Sequence, residues 1–224
     1  TDKVYNNNDK IKYFTESDPL GGVDPYSNSK SCAEAIVNSY NQSFFKKKKI
    51  FVATARAGNV IGGGDFSKDR IIPDYIYSFL KNQKLTLRSP NSIRPWQHVL
   101  DPLYGYLLLL MKLHKKQITS GSSFNFGPSN SNNKSVNEVI NLINKNFENS
   151  VKVIKKKNVL NIYKESKVLM LDSNKSKKIL KWKAQYNLEQ SINLTSIWFK
   201  KFMDKENQDI LLVTQDQIGD YLNL

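Results

Sequence analysis

The stretch IFVATARAGNVIGGGD, residues 50–65, decides the fold class. Its first six residues form a nearly continuous apolar run of strand length, without the alternation of a strand that has one face in water. Such a run predicts a strand that is buried on both faces of a parallel sheet. The glycine-rich segment 58–65 then predicts a loop at the carboxyl end of that strand, which is where open α/β sheets bind their ligands.

Helix and strand patterns alternate on both sides of this strand. Asp24 and Pro25 are typical of an N-cap and a first helical position, so a helix is predicted from 25 to about 46. Ser135 and Glu138 have the spacing of a capping box. Further helices are predicted over 71–80, 100–113, 135–147, 175–180 and 188–202, and further strands over 85–87, 122–126 and 151–154. This alternation indicates an α/β protein.

The composition excludes several classes of protein. The chain has 224 residues, of which 39% are apolar, and this is enough for one packed domain or for a domain with a small lobe. No run of eighteen apolar residues occurs, so no membrane-spanning helix is predicted. Cys32 is the single cysteine, which excludes a disulfide framework and a cysteine zinc cluster, and two histidines do not favour a metal site. No signal-peptide pattern opens the sequence, and we expect a cytoplasmic protein.

The net charge of +14 has two interpretations, because it comes from 30 lysines and only 4 arginines. A basic surface is typical of nucleic-acid binding. Nucleic-acid contacts rely on the planar fork of arginine, however, so a lysine-rich chain with 25 asparagines favours ordinary solvated lysines. We therefore expect no nucleic-acid partner, and the aromatic pair 44–45 beside the lysine run 46–49 is the one feature that supports the alternative.

The four arginines are Arg56, Arg70, Arg88 and Arg94, all within one short stretch. An arginine that persists where lysine dominates is typical of a position that needs a bidentate donor. The cluster predicts an anionic ligand, such as a phosphate, near residues 56–94. For any one of the four, a structural contact with a carbonyl or a carboxylate is an equally good interpretation.

Tyr26 and Lys30 lie four residues apart at the start of the first predicted helix and therefore share a face. A nearby ammonium stabilises the phenolate form of a tyrosine, which can then act as a base toward a sugar hydroxyl. Helices also produce this spacing by chance, so the pair gains weight from the motifs around it. These are Thr1-Asp2-Lys3 and the segments 24–30, 56–65, 69–74 and 93–99. With these motifs in this order, the chain resembles the extended short-chain dehydrogenase/reductase family of nucleotide-sugar enzymes.

The resemblance implies an NAD-dependent nucleotide-sugar dehydratase, a lyase of deoxysugar synthesis with CDP-glucose as its substrate. Such an enzyme oxidises C4 transiently, removes water across C5 and C6, and returns the hydride to C6. The related alternatives are a dTDP- or UDP-sugar 4,6-dehydratase and a 4-epimerase. Lys3 favours the CDP-glucose enzyme, because the dTDP-glucose relatives carry a glutamate there, and an epimerase would not need Asp2 as an acid.

The resemblance also implies roles for individual residues. Tyr26 would be the base for the C4 hydroxyl, Thr1 would position that hydroxyl, and Lys30 would hold the nicotinamide ribose. Asp2 would protonate the leaving C6 hydroxyl, which requires a raised pKa. Lys3 would either remove the C5 proton or stabilise the enolate. The expected cofactor contacts are Tyr26, Lys30 and Val60, and the expected substrate contacts are Thr1, Asn59, Arg70, Leu87, Arg94, Asn125 and Glu165.

The same family places a glycine-rich phosphate turn before the tyrosine–lysine helix, whereas the glycine cluster 62–64 follows it. We therefore expect a carboxyl-terminal portion of such an enzyme, inactive by itself, with a partial Rossmann-type doubly wound parallel sheet whose first half is absent. Residues 1–130 would form the second half of the NAD-binding domain, with interspersed substrate-binding segments. Residues 131–224 would form mostly a small α/β substrate-binding lobe. The apolar helices near 25–46 and 101–113 imply a homodimer.

Overall fold

The computed structural model describes residues 1–7, 11–22, 24–147, 151–155, 166–204 and 209–223. Its α-helices are α1 (Pro25–Tyr40), α2 (Ile71–Leu80), α3 (Leu100–His114), α4 (Val136–Asn144), α5 (Leu188–Met203) and α6 (Ile210–Leu222). Its strands are β1 (Tyr13–Phe14), β2 (Ala53–Ala57), β3 (Asn59–Ile61), β4 (Leu85–Leu87), β5 (Ile93–His98), β6 (Ser122–Phe126), β7 (Asn133–Ser135), β8 (Val153–Lys155) and β9 (Met170–Leu171). Two short π-helical turns span Asn41–Phe45, directly after α1, and Ser176–Leu180.

Two helix starts follow the capping chemistry that the sequence predicts. The side chain of Asp24 accepts a hydrogen bond from the backbone N–H of Ser27 at 2.9 Å, and Pro25 occupies the first turn of α1. At α4, Ser135 and Glu138 cap each other reciprocally, because each side chain accepts from the other residue's backbone N–H. Both devices satisfy amide groups that the first turn of a helix leaves without a partner.

Parallel strand pairs dominate the described sheets, which confirms the α/β class. Strand β2 pairs with β6 over its whole length, β3 pairs with β5, β4 with β8, and β1 with β9, all in parallel. Strand β7 adds an antiparallel edge to β5. The carboxyl ends of β2 and β6 therefore lie at the same edge, next to the segment that follows β2.

The structure differs from the expected element bounds in several places. The strand predicted from residue 50 begins at Ala53, and Phe51 is exposed beneath the ammonium of Lys116, which lies 5.6 Å from its ring centroid. The segment expected to be a loop at 58–65 contains β3, because residues 59–61 pair with β5. Strands β1, β5, β7 and β9 and helix α6 were not predicted.

The core lies between the sheet and the helices in three clusters. The largest surrounds Tyr75 and Ile140, the second surrounds Phe124 and Trp182, and the third joins Tyr5 to Phe14. No helix within the described ranges is long and apolar enough to span a membrane.

The structure places three further residues. Trp96 is 3% exposed and donates its indole N–H to the Lys134 carbonyl, so it belongs to the core. His98 is buried, and burial lowers its pKa to about 4. Cys32 is exposed on α1.

Candidate active site

A cleft of about 600 Å³ opens beside the segment that follows β2. Nine of the residues that sequence analysis assigns to catalysis, cofactor or substrate line it: Thr1, Asp2, Lys3, Tyr26, Asn59, Val60, Arg70, Leu87 and Arg94. They come from several separate elements of the chain. The fold therefore brings most of the predicted site together in one place.

The segment Thr1–Tyr5 meets the start of α1 at one wall of this cleft. Residues 2–4 form a 3₁₀ turn, and the Thr1 hydroxyl accepts a hydrogen bond from the Lys3 amide at 3.3 Å. The Ser31 hydroxyl on α1 donates to the Val4 carbonyl at 2.8 Å and so fastens the turn to the helix. Tyr26 lies twenty-five positions after Thr1, yet both residues line the cleft.

Tyr26 and Lys30 have the relation that their helical spacing predicts. Tyr26 is 54% exposed, and the Lys30 ammonium lies 5.1 Å from the centroid of its ring. Lys30 is not among the residues that line the cleft, and its described contact with the site is this one with the tyrosine ring. An ammonium at this distance interacts favourably with the face of the ring.

Asp2 combines access to the cleft with deep burial. The residue is only 3% exposed, and burial raises the pKa of its carboxyl, although the positive charges of Lys3 and Arg94 oppose the shift. Its Oδ2 atom has no hydrogen-bond partner among the residues that the structure describes. A carboxyl that resists ionisation can hold a proton and deliver it, so Asp2 meets the requirement for a general acid.

Three of the four arginines also line the cleft. Arg94 is buried, and its Nη1 donates to the carbonyl of Ile93 at 2.8 Å and to that of Lys167 at 3.4 Å. Arg70 and Arg88 are exposed. All three arginines therefore border the cleft, and their role toward an anionic ligand stays a prediction.

Carboxylates that sequence analysis did not assign hold the two exposed arginines. Arg70 Nε lies 3.9 Å from Asp65 Oδ2, and Arg88 Nη2 lies 3.3 Å from Asp69 Oδ1. Both aspartates line the cleft too. The sequence could have indicated both aspartates, because Asp65 lies in the glycine-rich segment and Asp69 directly precedes Arg70.

Arg56 does not line the cleft. It is 3% exposed and forms an ion pair with Glu34, Nε to Oε1, at 2.8 Å. The structural interpretation therefore applies to Arg56, and the anion-binding interpretation does not.

Two expected substrate contacts, Asn125 and Glu165, are not part of the described cleft. Asn125 is fully buried, its amide nitrogen donates to the carbonyls of Phe14 at 2.9 Å and Asp172 at 3.1 Å, and its Oδ1 accepts from the Tyr5 hydroxyl at 2.6 Å. These bonds engage both ends of the side-chain amide, so the structure gives Asn125 a structural role, and its expected contact with substrate stays a prediction. Glu165 lies outside the described residues.

Packing explains why a glycine is needed in the loop after β3, and the sequence pattern did not indicate this. Gly63 lies against the indole of Trp198 on α5, so closely that a Cβ atom there would overlap the ring. The Trp198 N–H donates to the Thr214 hydroxyl at 3.0 Å, which links α5 to α6. The carboxyl-terminal helices therefore support the loop that forms this side of the cleft.

Comparison with known proteins gives a consistent result. Residues 1–195 match the family described as GDP-mannose 4,6 dehydratase. The chain is 35% identical to CDP-glucose 4,6-dehydratase of Salmonella typhimurium, in an alignment that covers 100% of this chain and 62% of that protein. The chain thus spans less than two thirds of that relative's length.

Solved structures with the same architecture include dTDP-glucose 4,6-dehydratase of Bacillus anthracis in complex with NAD. The TM-score is 0.72 with 26% identity, over 92% of this chain and 61% of that one. UDP-glucuronic acid 4-epimerase of Bacillus cereus, in complex with UDP-glucuronic acid and NAD, gives a TM-score of 0.76 with 20% identity over 90% of this chain and 60% of that one. These likenesses confirm the predicted partial Rossmann-type fold. The domain boundary at residue 130 stays a prediction.

Proposed function

The chain belongs to the GDP-mannose 4,6 dehydratase family, and on that premise we propose that it supplies the catalytic residues of an NAD-dependent nucleotide-sugar 4,6-dehydratase acting on CDP-glucose. One observation carries the proposal. Thr1, Asp2, Lys3 and Tyr26 converge on a single cleft, with the Lys30 ammonium against the ring of the tyrosine. A base, an acid and a lysine are the groups that such a dehydration needs.

Part of the site fits the cofactor. Tyr26 is half exposed at the cleft, Lys30 lies against its ring, and Val60 forms part of the cleft wall, so these three would hold the nicotinamide ribose end. NAD is present in the similar Bacillus anthracis structure. When bound, it accepts a hydride from C4 of the sugar and returns it at C6. The glycine cluster 62–64 follows the tyrosine–lysine helix, so no residue of this chain is assigned to the pyrophosphate.

The first proton transfer is assigned to Tyr26. As the base, its phenolic oxygen takes the proton of the C4 hydroxyl. Thr1 lines the same cleft and would orient that hydroxyl by a hydrogen bond. With that proton on Tyr26 and the C4 hydride transferred to bound NAD, the product would be a 4-ketone, whose carbonyl acidifies the C5–H bond.

The elimination of water is assigned to Asp2 and Lys3. Asp2, whose pKa is raised by burial, donates its proton to the C6 hydroxyl as the C6–O bond breaks, and water leaves. Lys3 either removes the C5 proton or stabilises the negative charge that develops on the C4 oxygen. With the hydride that bound NAD would return to C6 and a proton added at C5, the product would be the 4-keto-6-deoxy sugar, so the overall change is the loss of one water.

Substrate contacts follow from the cleft lining. Arg70 and Arg94 would bind the diphosphate, Asn59 would lie near it, and Leu87 would pack beside the base. CDP-glucose is preferred to other nucleotide sugars because Lys3 occupies the position of a glutamate in the dTDP-glucose enzymes, and because the similarity to the Salmonella protein runs through the whole chain.

A homodimer in the cytoplasm completes the proposal. Large apolar side chains are exposed on α1, where Ile36 is 57% exposed, and on α3, where Leu107 and Leu110 are 58% and 61% exposed. Such surface is typical of helices that pack against a second subunit. Sedimentation of the full-length protein at micromolar concentration should give a dimer or larger.

The activity is tested with the full-length protein, NAD and three substrates: CDP-glucose, dTDP-glucose and UDP-glucose. The proposal expects the 4-keto-6-deoxy product from CDP-glucose at a kcat/KM at least ten times that for the other two, with solvent deuterium incorporated at C5. Preference for another nucleotide would contradict the CDP assignment but keep the reaction. Inversion at C4 without loss of water would identify a 4-epimerase.

A further inference from the structure

A buried ion pair lies directly behind the candidate catalytic helix. Glu34 on α1 and Arg56 on β2 make a bidentate contact, Nε to Oε1 at 2.8 Å and Nη2 to Oε2 at 2.9 Å. The two side chains are 11% and 3% exposed. Although burial acts against the charged carboxylate, its hydrogen bonds with Arg56 and the guanidinium charge hold the pKa of Glu34 below its usual range. The pair is therefore ionised and paired at neutral pH.

The same guanidinium reaches two further elements. Its Nη1 donates to the Tyr5 hydroxyl at 3.0 Å, and its Nη2 donates to the Ser123 hydroxyl on β6 at 3.0 Å. The Tyr5 hydroxyl in turn donates to Asn125 at 2.6 Å. One side chain thus holds α1, the β2–β6 pair and the segment Thr1–Tyr5 in a fixed relation.

Helical spacing connects this pair to the site. Tyr26, Lys30 and Glu34 are four residues apart in α1 and share one face, with a rise of about 6 Å between successive members. At the other end, Tyr5 directly follows the turn that carries Asp2. The network therefore connects the two parts of the proposed catalytic group. Glu34 belongs to the helix that carries Tyr26 and Lys30, and Tyr5 directly follows the segment Thr1–Lys3.

We propose that Glu34, Arg56 and Tyr5 are positioning residues for this reaction: they fix α1 against the Thr1–Tyr5 segment and keep the charge behind Lys30 balanced. The inference rests on the proposed function. An unpaired Glu34 would put a negative charge one turn from Lys30, and an unpaired Arg56 would put a positive charge there. Either charge would alter how readily the base loses its proton.

Other charged and titratable groups face the pair from the elements around it. The Glu16 carbonyl accepts a hydrogen bond from Arg56 Nη1 at 3.4 Å, and the Glu16 carboxylate accepts one from the backbone N–H of Asn125 at 2.7 Å. Tyr5 faces it from the amino-terminal segment, and burial raises the pKa of that phenol to about 12, so it stays neutral. Glu16 and Tyr5 are unchanged in the three charge variants below, so they do not affect that comparison.

The test is the pH dependence of kcat in the full-length enzyme and three variants: Arg56→Met, Glu34→Gln and the double variant. The acid limb reports the protonation of the base. We expect its midpoint to rise by about 0.5 pH unit in Arg56→Met, to fall by a similar amount in Glu34→Gln, and to return to the wild-type value in the double variant. A structural role alone would lower the rate without moving the midpoint in opposite directions. Lys12→Met, which removes a charge from the partly exposed pair with Asp18, is the matched control and should leave the midpoint unchanged.

If the charge variants do not fold, two conservative variants test whether the network fixes α1 against the Thr1–Tyr5 segment. Glu34→Asp keeps the charge but withdraws it by one methylene, and Tyr5→Phe removes one hydroxyl. Each should lower kcat several-fold with KM within twofold of the wild type, and an unchanged kcat in both would overturn the inference.

The proposed function and this inference fail separately. A wild-type enzyme that turns over none of the nucleotide sugars contradicts the proposed function and removes the inference with it. An active wild type whose variants fold but keep the acid-limb midpoint within 0.1 pH unit contradicts the inference alone.

Discussion

Asp2 and Glu34 are both carboxylates in water-poor surroundings, yet their environments drive them in opposite directions. Asp2 is 3% exposed, and burial raises its pKa. Glu34 is also largely shielded from solvent, but its bidentate contact with Arg56 lowers its pKa against the effect of burial. The cleft thus has a carboxyl suited to carrying a proton, and the region behind α1 has one suited to holding an arginine. Burial makes ionisation of both carboxyls less favourable, and the presence or absence of a bidentate arginine contact determines whether the pKa ends below or above its usual value.

The largest expected effect separates the two carboxylates by activity. Asp2→Asn removes the proposed acid, so kcat for product formation should fall about a hundred- to ten-thousand-fold. Glu34→Gln removes only a positioning contact and should cost about tenfold. Steady-state rates of the two full-length variants with CDP-glucose measure the difference, and equal losses would contradict the division of roles.

Their effects on stability should have opposite signs. Glu34→Gln leaves the buried Arg56 guanidinium without its partner charge, which should destabilise the protein by ~3 kcal/mol. Asp2→Asn replaces a buried carboxyl, whose ionisation burial disfavours, by a neutral amide and should be neutral or stabilise the protein by up to ~1 kcal/mol. Urea unfolding at pH 7 measures both, and a strongly destabilised Asp2→Asn would show that Asp2 is structurally paired.

The pH dependence of stability should show the same contrast. Because the folded-state pKa of Glu34 is depressed, its contribution is fully present above its unfolded pKa and is lost as the pH falls through the folded value. Because the folded-state pKa of Asp2 is raised, its penalty appears as the pH rises from the unfolded pKa through the folded value. Relative to the asparagine or glutamine variant, the wild type should gain stability with pH at Glu34 and lose it at Asp2. Unfolding free energies between pH 3 and pH 7 test this, and slopes of the same sign would contradict it.

The smallest expected difference is that between the effects on KM of substituting two buried arginines. Arg94 lines the cleft and Arg56 does not, so Arg94→Lys should raise KM about tenfold through loss of the bidentate fork, whereas Arg56→Lys should leave KM within twofold. Binding of CDP-glucose measured by calorimetry checks that the KM change reflects affinity. An unchanged affinity in Arg94→Lys would remove the diphosphate assignment.

The sequence predicted much of this arrangement, because the relevant interactions are local or follow directly from helix geometry. The Asp24 cap, the Ser135–Glu138 capping box and the shared face of Tyr26 and Lys30 all depend on residues three or four positions apart. The α/β alternation predicted that the strand ends would form the ligand edge.

What the sequence could not show depends on long-range pairing. Strand β5 contains Pro95 and alternates poorly, and it is a strand because β3 and β7 pair with it. Arg56 pairs with Glu34, which lies twenty-two positions away in the sequence, and the side-chain amide of Asn125 donates hydrogen bonds to carbonyls of two distant segments. No spacing rule distinguishes these structural contacts from ligand contacts.

The most direct test of the central assignment is a single-turnover experiment with the full-length protein, NAD and CDP-glucose, comparing the wild type with Tyr26→Phe. The variant keeps the aromatic ring beside Lys30 and removes the hydroxyl. We predict that the rate of C4 oxidation falls at least about a hundredfold while the Kd for CDP-glucose stays within threefold. A Tyr26→Phe enzyme that oxidises C4 at the wild-type rate would show that this cleft does not work as described.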